Sequence, residues 1–124
     1  MKKIRVLLVL CLMLLMTGCG RTTLNSVYSD LDFSLQRHVT LGSDGSYLAI
    51  TVTRSCSRSD DSVLCNASHA LNEILDELGF ESNVIRRMGE TRALDGRQTA
   101  ENSNFAVSWT FHPDDGLQVL FENN

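Results

Sequence analysis

From position 31 the chain alternates: Leu31, Phe33 and Leu35 are separated by Asp32, Ser34 and Gln36, and Val39 and Leu41 extend the apolar set. A period of two is the mark of a half-buried strand. The run Gly42-Ser43-Asp44-Gly45-Ser46 is dense in turn formers, after which Leu48, Ile50 and Val52 alternate with Ala49, Thr51 and Thr53. These features predict a hairpin, with strands over about 31–41 and 47–54. The period then changes. Leu64, Ala67, Leu71, Ile74, Leu75 and Leu78 fall on one helical stripe, with Asp60, Asp61 or Ser62 placed to cap its start and Gly79 placed to close it. A helix over about 61–78 is predicted. Phe80 to Arg86 reads as a third strand, and Met88 to Asn104 as a loop with a short strand around Ala93 to Gln98. Phe105, Val107, Trp109 and Phe111 alternate with smaller or polar residues, Pro113-Asp114-Asp115-Gly116 turns the chain, and Leu117, Val119 and Phe121 complete a closing hairpin. The predicted class is α+β in the order ββαβββ, one amphipathic helix lying on a mainly antiparallel sheet. One helix covers one sheet face, so Asp32, Ser34, Gln36, Thr51, Thr53, Ser108 and Thr110 are expected on the open one.

The first residues follow a different logic. Lys2, Lys3 and Arg5 precede an unbroken apolar run from Val6 to Met16, which ends at Thr17, Gly18 and Cys19. That is the layout of a secretory signal peptide, and the run is about half the roughly 20 residues of a membrane-spanning helix. Met16-Thr17-Gly18-Cys19 resembles the lipobox of bacterial lipoproteins, with Met16 where leucine is usual and Leu15 one place further back. The resemblance covers residues 1 to about 21. It implies that Cys19 becomes the acylated N-terminus, and Gly20 and Arg21, in place of acidic residues, imply sorting to the outer membrane. Each buried acyl methylene contributes about 0.8 kcal/mol, so three chains anchor far more firmly than one. The expected organisation is a signal peptide at 1–18, a lipidated N-terminus and short tether at 19–29, and one periplasmic domain at 30–124. A tether of that length, polar and without a clear period, reaches at most about 30 Å.

The cysteines agree with that compartment. With Cys11 removed and Cys19 lipidated, Cys56 and Cys65 remain as a pair in an oxidising space, where a disulfide is the expectation. Closing that short loop stabilises by roughly 2 to 3 kcal/mol in the chain-entropy picture. The alternative is a metal site of Cys56, Cys65 and His69, disfavoured because structural zinc takes four ligands and tighter cysteine spacing.

Charge narrows the partners. After Arg5 the chain carries eight arginines, no lysine and all 15 acids. Nucleic-acid binding relies on clustered Lys and Arg, so an acidic body argues against it. Nor do the residues form a familiar catalytic or nucleotide signature: a nucleophile elbow, a His-Glu-x-x-His pair, a P-loop and a dinucleotide turn are all absent. His38, His69 and His112 have no matched nucleophile and acid, Asp114 and Asp115 read as turn residues, and Asn66-Ala67-Ser68 as a sequon inside a helix. Trp109 is expected in the core. Arg86 and Arg87, adjacent in the predicted strand, are expected to face opposite ways.

The leading expectation is a non-catalytic, outer-membrane-anchored lipoprotein that serves as a binding or assembly factor for an envelope complex of the secretion, pilus or conjugation type. The alternative is a periplasmic inhibitor or immunity lipoprotein against a toxin or lysozyme, since an acidic domain suits a basic target. An envelope protein is the expected partner, the membrane is reached through acyl chains, and no cofactor, metal or small-molecule substrate is expected. A loop free of core duties carries specificity, which singles out Arg92, Asp95 and Arg97 as candidate contacts.

Overall fold

Thr23 starts the first element of the computed structural model, which describes residues 20–53 and 66–124. Its hydroxyl accepts from the Ser26 N–H at 3.1 Å and the Ser26 hydroxyl accepts from the Thr23 N–H at 3.0 Å, a reciprocal cap. Helix α1, Leu24–Asp30, follows and buries Leu24 and Val27. A second short helix, α2, Phe33–Gln36, buries Leu35. The Gln36 amide donates to the carbonyls of Tyr28 and Leu31, at 3.1 and 2.9 Å, and ties the two helices together.

This corrects two expectations. Part of the segment read as a tether is a helix docked on the core, and the strand over 31–41 is reduced to β1, Val39–Leu41. The stripe that folds the region is Leu24, Val27, Leu31 and Leu35, spaced by three and four residues, all buried. Phe33, whose place in the alternation suggested a strand, is 81% exposed.

The sheet has five strands. β1 is followed by β2, Tyr47–Val52, and later by β3, Gln98–Glu101, β4, Phe105–His112, and β5, Gly116–Asn123. Their spatial order is β1-β2-β5-β4-β3, and every neighbouring pair is antiparallel. Ile50 stands opposite Val119 and Val119 opposite Trp109, while Leu48, Phe121 and Val107 make the next row. All six side chains are buried. The alternate positions, among them Ala49, Leu120, Ser108 and Thr99, form the other face. Two turns depend on glycine: Gly45 has φ +70°, and at Gly116, φ +94°, a Cβ would run into the Val52 carbonyl.

Helix α3, Asn66–Glu77, buries Ala67, Leu71, Ile74 and Leu75 of the predicted stripe, and Ala70 beside them. Gly79, φ +75°, closes it, with the Phe80 N–H donating to the Leu75 carbonyl at 2.9 Å. The segment predicted as a third strand is instead helix α4, Ser82–Glu90, which buries Val84 and Met88. Phe80, Val84 and Met88 recur every four residues and are all buried, so a helical turn, not a strand, puts them on one side. A 3-10 turn, Ala93–Asp95, leads into β3, so the expected short strand lies a few residues later than predicted.

The fold is therefore α+β, as expected, but among the described residues four short helices and not one dominant helix pack on the sheet, and their chain order with the strands is ααββααβββ. Among the described residues no polar or charged residue is fully buried. No described helix is long and apolar enough to cross a membrane. Cys19, Cys56 and Cys65, the helix-start residues Asp60, Asp61 and Ser62, and Leu64 lie outside the described residues.

Candidate functional site

The end of α4, the 3-10 turn and the start of β3 enclose an open cavity of about 340 Å³, lined by Arg87, Glu90, Thr91, Asp95, Gln98 and Trp109. The indole of Trp109, which β4 turns inward, lies beneath it. The ring is only 1% exposed, yet its N–H is satisfied: Nε1 donates to the Thr91 hydroxyl at 2.8 Å. Thr91 in turn donates to the Arg87 carbonyl at 2.7 Å, capping the last turn of α4. The guanidinium of Arg87 lies over the indole face, 5.0 Å from its centroid, and Nη2 donates to the Thr99 carbonyl at 3.1 Å. Arg87 therefore links helix, tryptophan and strand. Its expected strand setting is corrected here: on α4 it turns toward Trp109, while Arg86 pairs with Glu90 in solvent, at 3.9 Å.

The rim of the cavity is the turn itself. Asp95 accepts from the Arg92 N–H at 2.7 Å and pairs with the Arg92 guanidinium at 3.6 Å, while the Gln98 amide donates to the Asp95 carbonyl at 2.8 Å. These bonds brace a three-residue helix that would otherwise be too short to hold its shape. Between the two bracing residues stands Leu94, 98% exposed.

Of the residues that sequence singled out for binding, Arg92 and Asp95 are thus brought together, as the braces of the turn. Arg97 is not with them. It crosses to the open face of the sheet and donates from Nη1 to the Ser108 hydroxyl at 2.9 Å. There it borders a second depression of about 230 Å³ shared with Thr51, Thr110 and Gln118. Thr51, Ser108 and Thr110 lie on that face as expected, whereas Asp32, Ser34 and Gln36 belong to the α2 region.

Sequence reasoning missed Leu94. The available signal was an arginine and an aspartate three residues apart with a lone leucine between them, in a segment otherwise poor in large apolar residues.

The Thr91 hydroxyl proton is directed to a backbone carbonyl, and its oxygen accepts from the indole N–H. His112 sits in the β4–β5 turn, 3.2 Å from Asp115, His69 is exposed on α3, and His38 Nε2 is buried without a hydrogen-bond partner among the described residues. Among the described residues no three His, Cys, Asp or Glu side chains are grouped to hold a metal ion. The chain matches no family model, no curated protein and no solved structure.

Proposed function

We propose that this chain is an outer-membrane-anchored periplasmic lipoprotein that acts as a non-catalytic binding or assembly factor for an envelope complex, with the Leu94 turn as its contact. The observation that carries the reading is Leu94 itself: a large apolar side chain, 98% exposed, at the crown of a turn braced by Arg92 and Asp95. A single exposed leucine is ordinary on a protein surface. What distinguishes this one is that its backbone is fixed and that it adjoins an open recess lined by Arg87, Glu90, Asp95 and Gln98, so a partner gains an apolar anchor and polar contacts without ordering a loop first. The signal peptide and lipobox-like residues ending at Cys19 support the anchored, periplasmic setting.

The acidic, lysine-free body also favours a second reading, an inhibitor or immunity protein that covers a basic enzyme. Both readings use the same surface and differ in what is held.

A photoreactive amino acid placed at Leu94 in the full-length, anchored protein tests the proposal in living cells. The expected result is a covalent adduct with an envelope-machine component, absent when the probe sits at Thr110 on the open face and lost with Cys19→Ala. A toxin or lysozyme in the adduct would select the inhibitor reading. Equal, nonspecific labelling from both positions would overturn the site.

A further inference from the structure

The sheet ends at β3, and this edge carries an ordered set of backbone groups that the ladder does not take. The Asn102 N–H donates to the Phe105 carbonyl at 2.9 Å, continuing the β3–β4 register in which Gln98 opposes Trp109 and Ala100 opposes Val107. Along an antiparallel strand the backbone groups of successive residues point alternately to the two sides. With Asn102, Ala100 and Gln98 directed at β4, the N–H and C=O of Glu101, Thr99 and Arg97 point away from the sheet. The Arg87 contact agrees, since its guanidinium reaches the Thr99 carbonyl from outside the ladder. The opposite edge differs: β1 is only three residues long and α1 and α2 pack beside it.

We infer that the β3 edge pairs with the β3 edge of a second copy of this chain, in antiparallel register about a two-fold axis at Thr99, with Arg97 of each copy opposite Glu101 of the other.

Two constraints select that occupant and that register. Outward-facing residues must meet outward-facing residues, which restricts pairing to the odd positions. Placing Thr99 against itself is the arrangement that brings Arg97 and Glu101 into opposition twice, on the same face of the joined sheet. In the single chain neither side chain is in an ion pair among the described residues, and Arg97 is bonded only to the neutral Ser108 hydroxyl. The paired edge gains about six ladder hydrogen bonds and two cross-strand charge pairs. Arg87 stands guard on the unpaired edge, its guanidinium holding the Thr99 carbonyl until the second copy's Thr99 N–H replaces it. Attachment of both copies to one membrane raises their effective concentration, which suits an interface of this small size.

The test uses the full-length chain in intact cells. Thr99→Cys should give a disulfide-linked dimer whose bridge maps by mass spectrometry to position 99 in both copies, whereas Thr40→Cys on the β1 edge should not. In the Thr99→Cys background, Arg97→Glu should lower the dimer yield on the order of tenfold by opposing like charges twice, and adding Glu101→Arg should restore it. No bridge at position 99, a bridge to a different protein, or a dimer indifferent to the charge exchange would each overturn the inference. The Leu94 turn leads into this edge, but the pairing uses the strand's backbone and the Arg97 and Glu101 charges and not the Leu94 side chain, so a dimer that forms normally while Leu94 crosslinks no other protein separates this result from the proposed function.

Discussion

The two faces of the five-stranded sheet are built from alternate residues of the same strands and have opposite roles. Toward the helices stand Leu48, Ile50, Val107, Trp109, Val119 and Phe121, none more than 3% exposed. Toward solvent stand Ala49, Thr51, Ser108, Thr110, Gln118 and Leu120, small or polar for the most part, with Arg97 laid across them. The difference teaches where the stability of a domain this small resides. Among the described residues the buried apolar side chains form one layer between sheet and helices, where burial offsets chain entropy, so the other face carries fewer folding constraints. The Leu94 turn and the β3 edge belong with the second class: each is held in place by a few polar bonds at the border of the core, not by burial of its own.

The comparison breaks most visibly at Trp109. Trp109→Ala removes the largest buried side chain and leaves Arg87 and Thr91 without their partner, and a loss of about 3–5 kcal/mol is expected in denaturant unfolding. Thr91→Val keeps the shape of the side chain and deletes the acceptor of the indole N–H. Because Thr91 is half-exposed, the cost should be about 1–2 kcal/mol, with a change in tryptophan fluorescence marking the altered indole. On the open face Thr110→Ala should change stability by less than about 0.5 kcal/mol, and a loss comparable to that at Thr91 would show that this face is covered in the folded chain.

The smallest effect concerns pH. Hydrogen bonds from Ser46, its side chain first and its backbone second, hold the Asp44 carboxyl below its ordinary value of 3.8. A carboxyl whose value is lowered on folding stabilises at pH above the ordinary value and ceases to do so as pH falls through the lowered one. Asp44→Asn should therefore flatten the acid limb of the stability curve slightly and leave neutral pH nearly unchanged.

Much of the fold was legible because its strongest elements have a single readable period. The α3 stripe and the β4–β5 hairpin are of this kind, with Gly79 and Gly116 where the turns require them. The errors fell where two periods compete. Leu31, Phe33 and Leu35 satisfy alternation, but with Leu24 and Val27 included the three-and-four spacing of a helix fits better, and it leaves Phe33 outside. Phe80, Val84 and Met88 posed the same choice, resolved by a second helix directly after the Gly79 stop. At the candidate site, Arg92 and Asp95 were legible as charges in a loop. Their service as braces was not, because it depends on where the turn places the intervening Leu94 relative to Trp109, a long-range relation that local pattern does not encode. Arg97 shared the same segment and ended on the other face, since entering the strand turns its side chain away from its neighbours in sequence.

The central claim is that Leu94 contributes to binding and not to folding. Leu94→Asp in the full-length protein, measured for both thermal unfolding and retention of the partner captured at that position, tests it directly. The melting temperature should stay unchanged while partner retention falls on the order of tenfold or more. Full retention by a stably folded Leu94→Asp protein would contradict it.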